Sequence, residues 1–454
     1  MAGGTFTPGL EKVRPGIYIN LESSRPEPTP QEVAGTVVIP LVGHDYGPAG
    51  EFIALDKTAP DKQITKLGYS IYDDDPSGNM LMIREAFKRA RVVLAYIPTA
   101  GTAANGVVTT GADKTLVTLN ASAKYGGTRG NALSFSIVAN PVAGFDVTVY
   151  LDGAAVALYK GLATIADLAA QNNAYITFSG TDGGALPPTA GLTLTGGANA
   201  TTSNNDIAAF LDAVETVHFN ALAAPFTDSD LQQIVAEKIR VLRDSVGKTV
   251  TAVVAGFAAN HEGIVNLTNS YSVGGTALTV AQATAWVAAA CAAATYTQSN
   301  TNTVVEGALR VVDEKTNEDA EAAILAGEFF FSTSDAGTVM VEYDINSLTD
   351  FAKPKDKSYR KNRVIRVFDA FRRALLETFT PGKFDNNEEG FDVREGLGRA
   401  ILLRFQGDGA IKNVDEQNDF VIDRGASQDD STYFTVGIQA VDSADKSYFT
   451  VKTR

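Results

Sequence analysis

At 454 residues, 44% of them hydrophobic and 20% charged, the chain can bury a large core, and its length suggests about three domains. A net charge of -15 and a pI near 4.8 argue against a nucleic-acid binder, which needs a basic footprint to neutralise phosphates. The single cysteine, Cys291, excludes an internal disulfide and suits assembly in a reducing cytoplasm.

The opening "MAGGTFTPGLEKV" lacks an apolar core of signal-peptide length, so no export signal is expected. "RPGIYIN" reads as a strand with Ile17 and Ile19 on one face and Tyr18 on the other. "ESSRPEPTPQE" follows, and Pro26, Pro28 and Pro30 at alternate positions make it an extended, stiff tether. At ~3.1 Å per residue a dozen such residues reach roughly 35 to 40 Å, far enough to cross to a neighbouring subunit.

From "AGTVVIPLVG" onward, buried apolar strands alternate with helices: "MLMIREAFKRA" is an amphipathic helix and "RVVLAYIP" the strand after it. The rhythm returns in "DIAAFLDAVETV", "TVHFN" with "FNALAAP", "DLQQIVAEKIRVLRDSVG" and "TVTAVVAGF", and implies a mostly parallel sheet covered on both faces. Between these halves, residues 112–197 turn to Gly, Thr, Asn and Val. "TLVTLNAS", "ALSFSIVAN", "FDVTVYLDG", "AYITFSG" and "LTLTGG" read there as short strands of an inserted all-β domain. "ALTVAQAT" and "AWVAAACAAATY" form an Ala-rich helix that Thr279, Gln282 and Thr284 make a poor membrane span and a good packed helix.

The last part holds a helix from Lys361, with Val364, Val367, Phe368, Phe371 and Leu375 on one face and Arg363, Arg366 and Arg373 on another. "DVREGLGRAILLRFQGDG" is a second helix, and "DFVIDRG", "YFTVGIQAV" and "SYFTVKT" are strands. In "SYFTVKTR", Phe449 and Val451 share one face and Tyr448, Thr450 and Lys452 the other, with no turn after them to bring a partner. The expected division is an arm over 1–30, an α/β domain over 31–111 and 198–345, the β insertion over 112–197 and an α+β domain over 346–454.

Motifs for chemistry are missing. "HEGIV" has Val265 where a zinc-protease helix needs its second histidine, and no G-x-S-x-G elbow is present. His44, His218 and His261 therefore read as structural or surface residues. The glycines of "YGGTRGN" suit a tight turn rather than a phosphate loop, and Asp73, Asp74 and Asp75 a solvated turn rather than a cation site. No cofactor and no metal are expected. The basic run from Lys353 to Arg373 is either a solvated helix face or a docking surface for an acidic partner.

Laid out in order, "RPGIYIN", "GHDYGPAGEFIAL", "ASAKYGGTRGNALSFSI", "TAWVAAACAAATYTQSNT", "DINSLTDF" with a K-x-R helix, and "VDSADKSYFTV" resemble the tail sheath proteins of contractile phages and phage-tail-like bacteriocins. "TPGKFDNNEEGFD" departs from the shorter turn that such proteins often carry after the basic helix. The resemblance implies a subtilisin-like α/β domain with an inserted β-sandwich and an α+β C-terminal domain, without the active-site segments of that enzyme, since fold does not carry activity with it. It also implies a helical homo-polymer around a tail tube protein, bounded by baseplate and tail terminator proteins, with no nucleic acid and no membrane span. Such a particle is a virion tail or bacteriocin assembled in the host cytoplasm, contracting to drive the tube through an envelope.

Under that resemblance Ile17, Tyr18, Ile19, Phe449, Thr450 and Val451 lie in strands exchanged between subunits, and Lys361, Arg363, Arg366 and Arg373 face the tube. The competing readings are a serine hydrolase with an accessory β domain and a different self-assembling virion subunit.

Overall fold

The computed structural model describes residues 2–4, 16–18, 35–111, 116–181 and 183–453. It divides into two compact units, Met1–Ala34 and Gly35–Arg454. In the first unit, strands Ala2–Gly4 and Gly16–Tyr18 pair in parallel, Gly3 opposite Ile17 and Gly4 opposite Tyr18. The strand expected at "RPGIYIN" therefore forms over Gly16–Tyr18, while Ile19 and the proline tether lie outside the described residues.

The second unit is built on a seven-stranded sheet in the order Glu328–Phe329, Ile264–Leu267, Thr251–Ala255, Ala221–Ala224, Thr36–Pro40, Val92–Tyr96, Phe52–Asp56. All neighbours are parallel except the last pair, Phe52–Asp56 running against Val92–Tyr96. Because side chains alternate along a strand, Val37 and Ile39 enter one core and Val38 the other. With both faces covered, most positions are apolar, and the central strands read as Val, Ile, Leu and Ala runs, buried Asn266 being an exception. Helices Asn79–Phe87 and Val280–Ala293 close the first face, Asn204–Val214 and Ser229–Arg240 the second.

The Ala-rich helix lies in the core around a fully buried Trp286. Two of the polar residues that spoil it as a membrane span start it: Thr279 accepts from the Gln282 amide while the Gln282 side chain accepts from Thr279, a capping box. No helix among the described residues is long and apolar enough to cross a membrane. Asp75 is not a solvated turn residue. It is buried and accepts from the backbone amides of Asn79 and Met80, satisfying free N–H groups of the helix that begins at Asn79. His218 lies in the loop before Ala221–Ala224 rather than in a strand.

The inserted domain packs a four-stranded sheet (Ala154–Leu162, Phe145–Leu151, Leu133–Ala139, Thr189–Thr193) on a three-stranded one (Ile176–Gly180, Val117–Ala123, Asn105–Thr110). Strand Asn105–Thr110, ahead of the boundary expected at 112, pairs along its length with Val117–Ala123. The sandwich core includes Tyr46, which comes from the loop "GHDYG" of the α/β domain and meets Tyr125 edge-on. The glycines of "YGGTRGN" serve this junction. Gly127 has φ +128°, and a Cβ there would stand 1.9 Å from the Asp45 carbonyl oxygen. Thr128 donates its hydroxyl to the Asp45 carboxylate at 3.2 Å, and Arg129 donates to the Gly68 carbonyl at 2.9 Å while lying over the Tyr69 ring.

The C-terminal part crosses the basic helix Asn362–Thr378 with the helix Glu388–Gly407 over a core of Val367, Phe371, Leu402, Phe405 and Phe420. Gly398 lets the second helix sit directly on Phe420, whose ring would be 2.2 Å from a Cβ at that position. Strands Phe420–Ile422 and Phe434–Val436 pair with each other in a sheet of two.

Candidate assembly site at the basic helix and the terminal arm

The apolar stripe of the basic helix packs as its spacing predicts: Val364, Val367 and Phe371 are buried, Phe368 and Leu375 partly so. Its arginines do not form one free row. Arg366 turns inward and donates to the Asp344 carboxylate at 2.6 Å and to the Gln298 carbonyl at 2.8 Å. Asp344 is fully buried and also accepts from the Asn300 amide at 2.9 Å and the Asn362 side chain at 2.9 Å. Burial pulls its pKa up, but Arg366 and these donors outweigh that and hold the carboxyl below its ordinary value. Arg373 donates to the Thr249 hydroxyl at 3.3 Å, and Arg363 is half-buried with its Nε making no hydrogen bond.

Lys361, at the N-cap of the helix, is buried, stacks over the Tyr343 ring at 4.2 Å, contacts Asp445 and lies 3.7 Å from Asp442. Burial lowers the Lys361 pKa, partly offset by the Asp442 and Asp344 carboxylates. "DINSL", the K-x-R start of the helix and "VDSAD" thus meet at one node, through Asp344, Lys361, Arg366 and Asp445. The sequence marks all three motifs. Asp344, Asp445 and Tyr343 were not legible as its members, because nothing local in sequence joins segments this far apart.

Beyond this node the chain leaves the body. Val441 still donates to the Ala410 carbonyl at 2.8 Å, and after it the residues up to 453 form no regular secondary structure. Tyr448, Phe449 and Val451 are 90%, 87% and 86% exposed, and Thr450 is exposed as well. A strand needs a hydrogen-bonding partner, and within the single chain this segment has none in the described residues. The sheet of Phe420–Ile422 and Phe434–Val436 has an outer edge on each strand.

Two further titratable clusters surround His261 and His44. His261 Nε2 lies 3.8 Å from Asp244 and 3.7 Å from Glu262, residues that together have the spacing of a metal site. Yet His261 Nδ1 accepts from the Gly263 amide at 3.0 Å, which leaves the proton on Nε2, and Lys355 already pairs with Glu262 at 2.7 Å. Burial lowers the His261 pKa, keeping the ring neutral. Ser347 bonds the backbone of His261, not its ring, and His44 Nε2 is directed at the Leu67 carbonyl at 2.9 Å. Neither ring faces a serine hydroxyl as a nucleophile pair requires.

Family models match in three consecutive stretches: the phage tail sheath protein beta-sandwich domain over residues 99–199, the central domain over 200–347 and the C-terminal domain over 354–454. The chain is 35% identical to the phage-like element PBSX protein XkdK of Bacillus subtilis over the full length of both. The chain belongs to the phage tail sheath protein family. Among solved structures, the sheath tail protein from Desulfitobacterium hafniense superposes with a TM-score of 0.79 at 35% identity, covering 95% of this chain and 98% of that one. That from Listeria innocua gives 0.73 at 30% identity, covering 92% and 94%. The fold extends to the helical sheath of the anti-feeding prophage in its contracted state, with a TM-score of 0.56 at 14% identity. This sheath protein is a structural subunit of a contractile tail, and the node joins its central domain, through Tyr343 and Asp344, to its C-terminal domain, through Lys361, Arg366 and Asp445.

Proposed function

We propose that this sheath protein polymerises helically around a tail tube and holds contraction energy in its extended array, released when a baseplate lets the array switch to a second packing. Neighbouring copies are linked by strand exchange: arm 1–30 and the segment from Ser447 add strands to the open edges of a neighbour's C-terminal sheet, using Ile17, Tyr18, Ile19, Phe449, Thr450 and Val451. The observation that carries this reading is the exposed, unpaired run Tyr448 to Val451 beyond a root fixed by Lys361 and Asp445. Apolar side chains held in water without a partner are stabilised by acquiring one.

The parallel sheet covered by helices supports a subtilisin-like α/β domain formed by the segments on either side of the β insertion, and that insertion, strand Asn105–Thr110 included, would lie on the outside of the array. No enzymatic activity is assigned. The domain over 346–454 faces the tube through Arg363 and Arg373 together with exposed Lys353 and Lys357. Lys361 and Arg366 support that face from within the node. Partners are further copies of the chain, the tube, the baseplate and a tail terminator, and assembly takes place in the host cytoplasm. The reading is tested by truncation after Lys446, which is expected to leave a folded monomer with unchanged Tm that forms no sheath. Tubes of normal order from the truncated chain would rule out exchange of the C-terminal strand.

A further inference from the structure

Beside the arm root lies a cavity of about 260 Å³ lined by Tyr343, Lys357, Ser358, Arg360, Lys361 and Asp442. Arg360 is only 7% exposed, and its Nε and Nη2 are buried without a hydrogen bond. A guanidinium is never deprotonated in a protein, so this is a buried positive charge with two unused donors, an arrangement that destabilises the subunit holding it. Three of the other lining groups already have partners. Ser358 donates to Asp356 at 2.5 Å, and Lys361 contacts Asp445 with Asp442 at 3.7 Å. What the site lacks is an anion for Arg360, and the planar fork of a guanidinium matches a carboxylate.

We propose that the Arg360 pocket receives a carboxylate from a neighbouring copy of this chain. Two observations identify the donor. Asp442 and Lys361 place the pocket at the point where the terminal arm leaves the body, so a copy that lends or receives that arm is brought to its mouth. With 53 Asp and Glu against 38 Lys and Arg, each copy presents a surplus of carboxylates. The proposal rests on the exchange reading for the position of the neighbour and predicts something that reading does not: a charge that weakens the free subunit and strengthens the array.

The experiment compares full-length wild type with R360M, R360K and D442N, measuring Tm in the dilute soluble state and the critical concentration for polymerisation without tube, at low and high salt. R360M is expected to keep or raise Tm while increasing the critical concentration about tenfold and flattening its salt dependence, with partial recovery in R360K. A fall of several degrees in the Tm of R360M would overturn the proposal, since Arg360 would then be an internal support. Unchanged polymerisation would overturn it too, and normal free polymer with loss of tube coating alone would move the carboxylate to the tube. If D442N reproduces the R360M phenotype, the chain's own arm fills the pocket and no neighbour is needed. The chain truncated after Lys446 separates the two ideas: polymer from the truncated chain but not from R360M refutes strand exchange and keeps the pocket, and the reverse refutes the pocket alone.

Discussion

Replacing Arg366 with Met tests whether this arginine acts inside the C-terminal node. Asp344 is 0% exposed and Arg366 15% exposed, with 2.6 Å between Oδ2 and Nη2. Removing one member of such a buried pair leaves an uncompensated charge and costs about 3–5 kcal/mol. At about 2–4 °C per kcal/mol for a domain of this size, Tm falls by roughly 6 to 20 °C. The loss depends on pH with a definite sign. In the wild type the Asp344 pKa lies below its unfolded value near ~3.9, so its contribution is complete above that value and is lost as pH falls through the folded pKa. In R366M burial acts without the arginine and raises the Asp344 pKa, so the folded variant takes up a proton and the difference from wild type shrinks from pH 8 to pH 5. D344N with R366M removes both charges and recovers part of the loss, giving a coupling energy of about 1 kcal/mol or more in a double-mutant cycle. Urea denaturation at several pH values reads all of this. A stability within ~0.5 kcal/mol of wild type at pH 8, with no coupling to D344N, would refute the inward role and return Arg366 to the surface.

Three further outcomes follow from other contacts. G127A forces a Cβ at φ +128° against the Asp45 carbonyl and is expected to destabilise by on the order of 3 kcal/mol, seen as a lower denaturation midpoint. Replacing residues 99–199 with a Gly/Ser linker uncovers Tyr46, which is 2% exposed in the intact chain, so soluble yield is expected to fall and to recover when Tyr46 is also changed to Ser. K361M leaves Asp445 without its cation and loosens the arm root, so trypsin is expected to cut at Lys446 faster than in wild type while the core of the chain stays intact.

Much of this architecture was legible because it follows from local pattern. Val37, Val38 and Ile39 announce a strand buried on both faces, and Val364, Val367 and Phe371 announce the packed side of the basic helix. The order of "DINSL", the K-x-R helix and "VDSAD" was also readable, and it pointed to the family. What sequence could not supply is direction in space. Helical spacing places Arg363, Arg366 and Arg373 on one face, but only the fold brings Asp344 beside Arg366. Three consecutive aspartates look equally solvated until Asp75 is seen to cap a helix. Gly127 reads as a turn, and its real constraint is the backbone of Asp45 in another domain. The segment Tyr448 to Val451 has the composition of a strand and forms none, because a strand is a property of two segments and no second one pairs with it among the described residues.

Polymerisation of the purified chain is directly observable. Negative-stain electron microscopy of the purified full-length protein, concentrated without any tube protein, is the most direct measurement. Hollow helical tubes with a lumen wide enough to enclose a tail tube are the predicted result, absent from the chain truncated after Lys446. A full-length protein that stays a monodisperse monomer at every concentration and salt tried, or a truncated one that forms the same tubes, would contradict polymerisation through its exposed terminal arm.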